Sequence, residues 1–181
     1  VKRFRIQTMV LCPTRELADQ VAEEIRTLAR CIHNIKVLTL CGGAAFGPQV
    51  GSLEHGAHII VGTPGRLEDH LGRGTLQLET VNMLVLDEAD RMLDLGFKAE
   101  IDQIMKQTPQ NRQTLLFSAT FDDSVYKFSK TLLKDPQTIT IDDKTEAIED
   151  LQFRMSKAVE GLNQDQLNTP YRPGGWTIKQ V

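Results

Sequence analysis

The chain has 181 residues, of which 40% are hydrophobic and 25% are charged, close to the average of globular domains. This composition excludes a disordered, collagen-like or low-complexity chain and allows one domain with a short appendage. With 21 Lys and Arg against 24 Asp and Glu, the formal net charge is −3. A nucleic-acid partner would therefore have to be held by a local basic patch.

The cysteine and hydropathy patterns bear on the cellular compartment. Cys12, Cys31 and Cys41 are odd in number and form no Cys-x-x-Cys pair, which argues against a disulfide framework and a zinc knuckle. No apolar run approaches the roughly 18–20 residues of a membrane span, and no secretory leader opens the sequence. We expect a soluble, cytoplasmic protein without membrane contact.

Short apolar runs alternate with helical patterns along the chain. After the first run, apolar residues recur at spacings of three and four from Leu17 to Leu28, which predicts an amphipathic helix. The predicted strands are residues 8–12, 35–41, 58–61, 83–86, 114–117 and 138–141, and the further predicted helices lie around 46–54, 65–72, 97–106 and 122–133. This alternation predicts an α/β domain, a parallel sheet with helices on both faces.

Parallel sheets place ligand sites in the loops that follow their strands. Five of the six predicted strands are followed by unusual residues, namely Pro13-Thr14-Arg15-Glu16, Gly42-Gly43, Thr63-Pro64-Gly65-Arg66, Asp87-Glu88-Ala89-Asp90 and Ser118-Ala119-Thr120. We therefore expect a functional site at this edge of the sheet.

The acidic loop follows an apolar strand directly, so two carboxylates lie at its rim. Such an arrangement suits Mg²⁺ on nucleotide phosphates, with Asp87 anchoring the metal through water because Mg²⁺ dehydrates reluctantly. Glu88 would orient or deprotonate the attacking water. An alternative is an acidic helix start, in which Asp87, Glu88 and Asp90 interact favourably with the helix dipole. The strand and its two carboxylates do not decide between the two.

Two other loops have features suited to phosphate. Thr14 and Thr63 each lie between a strand and a helical pattern, close to an arginine. A helix amino end presents free N–H groups, and a guanidinium grips phosphate with two hydrogen bonds. Gly43 and Gly65 allow close approach of the backbone to a ligand. Together these features predict loops that hold a sugar-phosphate backbone without reading bases, although each alone could be an ordinary turn or helix entry.

Residues 8 to about 142 resemble the first RecA-like domain of a DEAD-box RNA helicase. All five loop motifs occur in that family's order and approximate spacing, which is a specific combination. The connecting sequence most resembles the DbpA-type branch of the family, which acts on ribosomal RNA. The resemblance implies a partial RecA-like sheet, ATP and Mg²⁺ as cofactors, RNA as the partner with ribosomal RNA as a candidate, and duplex unwinding coupled to ATP hydrolysis.

The resemblance also implies a role for each loop. RNA-backbone contacts would come from Pro13–Glu16, Gly42-Gly43 and Thr63–Arg66. Asp87 and Glu88 would be catalytic, with Asp87 holding Mg²⁺ through water. Ser118 and Thr120, on either side of Ala119, would hydrogen-bond towards Asp90 and link the ATP site to RNA.

The sequence also departs from the family pattern. The P-loop G-x-x-x-x-G-K-[ST] is absent, since no Gly-Lys dipeptide occurs in the 181 residues, and so are the adenine-reading Gln motif and the second RecA-like domain with its arginine finger. The P-loop binds the β and γ phosphates. We therefore expect no meaningful ATP hydrolysis by the isolated chain, and we expect the second domain in the parent helicase.

The carboxyl-terminal residues indicate a different ancestry. A helical pattern from Leu151 to Leu162 precedes Tyr171-Arg172-Pro173-Gly174-Gly175-Trp176-Thr177, which resembles the opening of a DinB-like bundle of the bacillithiol-transferase type. The resemblance stops before the first metal ligand, so no metal is assigned there. We predict a partial helicase domain over 1–143 and a short helical appendage over 144–181, a combination that suggests a fusion or a rearranged reading frame.

Two alternative functions stay open at this point. One is a non-catalytic RNA-backbone binding module that uses the Thr14–Arg15 and Thr63–Arg66 loops. The other is a fragment of a metal-dependent thiol transferase or hydrolase, defined by the tail. A metal site at His55 and His58 is disfavoured, because no third ligand accompanies them in the sequence.

Overall fold

The computed structural model describes residues 4–32 and 34–140 of the chain. The chain divides into the units Val1–Asp135 and Pro136–Val181, and the second unit is described only as far as residue 140. The helical appendage predicted over 144–181 and its boundary lie outside the described residues and stay predictions.

Strands and helices alternate through the first unit. The strands are β1 (Thr8–Leu11), β2 (Val37–Leu40), β3 (Ile59–Gly62), β4 (Met83–Leu86) and β5 (Gln113–Leu116). The helices are α1 (Arg15–Leu28), α2 (Phe46–His55), α3 (Pro64–Gly72), α4 (Ala89–Asp94), α5 (Lys98–Gln107) and α6 (Asp123–Leu132), and a 3-10 turn, Ala29–Cys31, follows α1. Five predicted strands and all five predicted helices are confirmed, while α4 had been considered only as the alternative, acidic helix start at Asp87–Asp90.

The five strands form one parallel sheet in the order β2-β3-β1-β4-β5. In the centre, Thr8 of β1 pairs with Ile59 of β3 on one side and with Met83 of β4 on the other. Because every pairing is parallel, the carboxyl ends of all five strands lie at the same edge of the sheet. The predicted α/β fold class is confirmed.

The strand predicted at 138–141 is wrong over the residues described. Residues 138–140 form no strand, and Ile139 is 65% exposed; residue 141 lies outside the described part. A strand needs a neighbour for its backbone N–H and C=O groups. Within residues 4–32 and 34–140, β5 pairs with β4 and no strand pairs with its other side.

Alternate residues of β1 supply two separate cores, one on each face of the sheet. Met9 and Leu11 belong to the larger core, which includes Leu67 of α3 and Ile101 of α5. The smaller core contains Val10, and its helical members are the small residues of α1, Ala18 and Ala22. Burial on both faces explains why the strands read as continuous apolar runs. Across the residues described, no helix combines the length and apolarity needed to cross a membrane.

Two helices begin with side-chain caps that fix the loops before them. The Thr14 hydroxyl accepts the Leu17 N–H at 3.3 Å at the start of α1. The Asp122 carboxylate accepts the Val125 N–H at 2.9 Å at the start of α6. Each cap satisfies an N–H group that has no partner within its helix, so the loop enters the helix in one defined conformation.

Gly62 at the end of β3 provides a test of this packing. A Cβ atom there would collide with the carbonyl oxygen of Leu40 in β2, so we expect Gly62→Ala to lower the free energy of unfolding by about 1–3 kcal/mol. Gly51→Ala is the control, since a Cβ at this α2 position meets nothing within 4 Å, and it should raise stability by about 0.5–1 kcal/mol. Urea denaturation followed by circular dichroism measures both; wild-type stability of Gly62→Ala would contradict the close approach.

Candidate functional site

Strand order divides the loops at the carboxyl edge into two groups. The loops after β2, β3 and β1 are adjacent and contain all the residues predicted to contact RNA. The loops after β4 and β5 contain Asp87, Glu88 and Asp90 and the segment Ser118-Ala119-Thr120. The two groups meet between β1 and β4, so the edge has a basic, glycine-rich half and an acidic half.

The acidic loop is held on both sides by backbone hydrogen bonds. The Asp87 N–H donates to the Leu11 carbonyl at 3.0 Å, and the Ala89 N–H donates to the Phe117 carbonyl at 2.9 Å. Between them Glu88 has the left-handed backbone conformation, with φ 51° and ψ 56°. For a residue other than glycine this costs roughly 1–2 kcal/mol. Such strain is typical of functional sites, and here it falls on the residue predicted to handle water.

The donor set of this loop suits a shared rather than an enclosed Mg²⁺ ion. Carboxylate oxygens are the hard ligands that Mg²⁺ prefers, usually one or two per site together with phosphate oxygens and water. One oxygen of Asp87, Oδ1, already accepts the Glu88 N–H at 3.1 Å. The described residues contain no group of three or more His, Cys, Asp or Glu able to hold a metal. Asp87 would therefore fit an ion that a nucleotide would help to bind, and Glu88 is left for the attacking water.

The alternative interpretation of the acidic loop is also realised in part. Helix α4 begins at Ala89, and Asp90 lies in its first turn. The acidic residues thus lie both at the start of a helix and at the sheet edge. A favourable interaction with the helix dipole and a functional role therefore do not exclude each other.

Asp90 joins the acidic loop to the loop after β5. Its Oδ2 accepts the Thr120 hydroxyl at 2.7 Å and the Thr120 N–H at 2.9 Å. The Asp90 N–H donates to the Ser118 hydroxyl at 3.3 Å, and that hydroxyl donates to the Thr120 carbonyl at 2.6 Å. The hydrogen bonds predicted towards Asp90 are present, whereas their role in coupling stays a prediction.

The pKa of Asp90 reflects these bonds. Burial alone would raise the pKa, but the hydrogen bonds donated by Thr120 and by the Arg91 N–H outweigh it and lower the pKa below its ordinary value. Asp90 is therefore charged at neutral pH, the form that its three N–H and O–H donors favour.

A buried thiol lies near the acidic loop. Burial, and then the negative charge of Asp87, raise the pKa of Cys12 to about 12. Burial is also the main reason why the pKa of Cys41 is raised. Cys12, Cys31 and Cys41 are free thiols. Cys12 and Cys41 stay neutral at physiological pH and serve as apolar members of the smaller core.

In the other half of the edge, the Arg15 side chain approaches the loop after β2, although β3 lies between β1 and β2 in the sheet. Arg15 makes a 3.7 Å ion pair with Asp19, and both side chains are more than half exposed. Gly43 has φ 76°, and a Cβ added to it would lie 3.9 Å from Arg15 Nη1. Gly42, Gly43, Arg15 and Glu16 are exposed, whereas Pro13 is buried. Arg15 and the glycine pair thus form one accessible surface.

Thr63 ties the loop after β3 to the loop after β2. Its hydroxyl accepts the Gly42 N–H at 3.3 Å, and its own N–H donates to the Leu40 carbonyl at 3.1 Å. Pro64 occupies the first turn of α3 and is buried, while Gly65 is partly exposed. Thr63 and Pro64 therefore shape the loop, and Gly65 is left to approach a ligand.

Arg66 is held by a polar network that the sequence did not predict. Its Nη1 donates to the Ala44 carbonyl and to Gln49 Oε1, each at 3.0 Å. The amide nitrogen of Gln49 donates to the Cys41 carbonyl at 3.1 Å, and His70 Nε2 lies 3.0 Å from Gln49 Oε1. We call Ala44, Gln49 and His70 the Arg66 tether. It connects the helices α2 and α3 behind the two loops.

The hydrogen bonds around His70 fix its tautomer. Gln49 Oε1 already accepts from Arg66, so His70 Nε2 must be the donor to it. Nδ1 then has no proton, so the Thr75 hydroxyl, 2.8 Å away, donates its one proton to Nδ1 rather than to the His70 carbonyl at 3.0 Å, which still accepts the Thr75 N–H. Burial, and then the positive charge of Arg66, lower the pKa of His70 below its ordinary value of 6.5. The Phe46 ring stacks on the imidazole at 4.2 Å. His70 is therefore neutral and fully buried.

The other histidines are structural where they are described. His58 Nδ1 accepts the Lys36 N–H at 3.1 Å, and its ring packs against Phe4 at 4.6 Å. Nδ1 of His55 lies 2.6 Å from the carbonyl of Gly51 in the same helix. His33 lies outside the described residues.

Comparison with known proteins identifies the class to which this fold and site belong. Residues 2–128 match the family model of the DEAD/DEAH box helicases. The chain belongs to the DEAD/DEAH box helicase family.

The chain is also similar to individual members of this family. The chain is 58% identical over 139 residues to the ATP-dependent RNA helicase DbpA of Escherichia coli, covering 77% of this chain and 30% of that protein. It is 41% identical over 152 residues to the DEAD-box ATP-dependent RNA helicase CshA of Geobacillus kaustophilus, covering 84% and 32%. A DEAD box protein from Methanococcus jannaschii superimposes with a TM-score of 0.72 at 36% identity, over 86% of this chain and 45% of the other. The predicted DbpA-type resemblance is confirmed, and the chain spans about a third of the curated relatives' length.

His70 makes stability depend on pH. The unfolded chain protonates this histidine near pH 6.5, whereas the folded chain keeps it neutral to lower pH. The unfolded state then binds more protons, so the free energy of unfolding should be at its full value above about pH 6.5 and fall as the pH is lowered towards the folded pKa. His70→Phe, which keeps a stacking ring without a titrating group, should reduce this dependence.

Urea denaturation between about pH 5 and pH 8 measures the effect. His55→Gln is the control, because His55 is an exposed histidine on α2 and should leave the dependence unchanged. Equal pH dependence of the wild type and His70→Phe would contradict a neutral, buried His70.

Proposed function

We propose that the described domain is the RNA-gripping part, and a share of the nucleotide site, of an ATP-dependent RNA helicase. One observation carries the proposal: a single edge of the sheet gathers the Gly- and Arg-containing loops after β2, β3 and β1 beside the carboxylates after β4. Relatives that are named ATP-dependent RNA helicases support it. RNA, with ribosomal RNA as a candidate, is the proposed substrate, in the cytoplasm.

The basic half would bind the RNA backbone. Arg15 is exposed, its ion pair within residues 4–32 and 34–140 is with an exposed carboxylate, and it lies against the exposed Gly42-Gly43 turn. Arg66 adds a second guanidinium at the neighbouring loop. Guanidinium and backbone N–H groups bind phosphate oxygens without reading base identity. A chain with net charge −3 would thus hold RNA through this local patch.

The acidic half would serve the nucleotide. Asp87 would hold Mg²⁺, which neutralises charge on phosphate oxygens when bound, and Glu88 would orient water and accept its proton. The left-handed backbone conformation of Glu88 fixes the direction in which its side chain leaves the backbone. Asp90 connects this loop to Ser118 and Thr120, so we propose that a shift of one loop moves the other.

A non-catalytic RNA-binding module is the second candidate for the isolated chain. The 181 residues contain no Gly-Lys dipeptide to supply a P-loop lysine. On this ground we propose that the chain alone binds RNA without hydrolysing ATP and that hydrolysis requires the parent helicase with its second RecA-like domain. The thiol-transferase alternative depends on the tail, which lies outside the described residues.

Salt dependence tests the RNA contact of Arg15. The affinity of the chain for single-stranded RNA should fall with salt, and Arg15→Gln should reduce the log–log slope by about 0.7, the value of one lost phosphate contact. Fluorescence anisotropy across a salt series measures the slope.

Arg26→Gln is a matched control for this experiment. Arg26 lies at the other end of α1 and also pairs with an exposed carboxylate, Glu23, at 3.4 Å. It should retain the wild-type slope. Identical slopes for Arg15→Gln and the wild type would refute the contact.

Hydrolysis of ATP by the 181-residue chain tests the acidic half. We expect no RNA-stimulated release of phosphate above background, in the wild type or in Glu88→Gln, because no P-loop lysine is present to hold the β and γ phosphates. A coupled phosphate-release assay measures it. Activity that is present in the wild type and lost in Glu88→Gln would overturn the expectation and identify Glu88 as catalytic.

A further inference from the structure

The Arg66 tether accepts hydrogen bonds from one nitrogen of the guanidinium, Nη1, and from neither of the other two. Both described hydrogen bonds of the Arg66 side chain come from Nη1, which has two protons to donate. Among residues 4–32 and 34–140, Nε and Nη2 of Arg66 have no hydrogen-bond acceptor. A pair of N–H groups on one edge of the guanidinium is the arrangement that binds phosphate with two parallel hydrogen bonds.

We infer that Gln49 and His70 are positioning residues, which hold Arg66 so that its Nε and Nη2 edge stays available to an RNA phosphate. The inference rests on the proposed function, since it requires that Arg66 contacts RNA. Neither residue needs to touch RNA, because Gln49 is 8% and His70 0% exposed.

The orientation of the Gln49 side-chain amide determines whether this residue can hold Arg66. Its nitrogen donates to the Cys41 carbonyl, so its oxygen must face Arg66. His70 Nε2 donates to the same oxygen and adds a second reason for this orientation. If the amide were reversed, its nitrogen would face the guanidinium and the Cys41 carbonyl would lose its donor. His70 thus acts on Arg66 through Gln49.

The aromatic surroundings favour the same arrangement. Phe46 stacks on His70 at 4.2 Å, and the Arg66 guanidinium lies 5.6 Å from the centre of the Phe46 ring. Arg73 lies 4.4 Å from that ring and pairs with Asp69 at 2.7 Å, so it has partners of its own. An arginine without such supports would sample many rotamers, and RNA binding would have to order it.

Gln49→Met tests the inference, because methionine keeps the length of the side chain and removes both the acceptor and the donor. In the RNA salt series, Gln49→Met should lower the slope by about 0.7, as much as Arg66→Gln does. The double variant Gln49→Met/Arg66→Gln should show no further reduction of the slope. In Gln49→Met combined with Arg15→Gln, the two reductions of the slope should add.

Ser129→Ala is a control for simple destabilisation. Ser129 is also buried, and its hydroxyl donates to the Tyr126 carbonyl in α6. Its replacement should leave the slope unchanged. NMR of the arginine side chains supplies a measurement without RNA: the Nη groups of Arg66 should exchange by bond rotation faster in Gln49→Met than in the wild type, and His70→Phe should show an intermediate effect.

The results separate the positioning role of Gln49 from the RNA contact of Arg66. A reduced slope in Arg66→Gln with a wild-type slope in Gln49→Met would overturn the positioning role and leave the proposed function standing. A wild-type slope in Arg66→Gln would overturn the RNA contact of Arg66 and the inference with it. Unchanged rotation of the Arg66 guanidinium in Gln49→Met would also refute the tether.

Discussion

The parallel pairing of β1 with a strand on each side determines where every loop of the site lies. The ladder continues past the strand ends, since the Cys12 N–H donates to the Gly62 carbonyl and the Asp87 N–H donates to the Leu11 carbonyl. The loops that start there inherit the register of the sheet. Two groups of side chains with opposite charge are thereby placed next to each other on one rigid edge, although they are distant in sequence.

Connections within each half of the edge do not depend on the sheet alone. The Asp90 carboxylate joins two loops through Thr120, and the Arg66 tether joins two others through Gln49. In both networks a charged or buried polar group is held by several hydrogen bonds, and such networks specify one arrangement more strongly than apolar packing does. Arg66 thus has a structural part and a proposed binding part on different nitrogens of one guanidinium.

Local patterns were sufficient to predict five strands and five helices, because each has a clear apolar period. They left α4 as one of two alternatives, because its six residues are too short to show a period, and they failed for residues 138–140, whose β-branched residues find no partner strand in the part described. The site loops could be predicted because the motifs follow the strands directly. The pairing of Gln49 with His70, 21 positions apart, could not, because it depends on how α2 and α3 pack.

The backbone at Glu88 has a consequence for the history of the chain. Asparagine and glycine adopt the left-handed conformation more easily than glutamate does, so a population screened for thermal tolerance alone would favour their appearance at this position. If its carboxylate handles water, as we propose, selection for that role would keep a glutamate there against its conformational preference. Natural variants that have lost this glutamate would be expected among copies released from that selection, with a fold at least as durable as the one described.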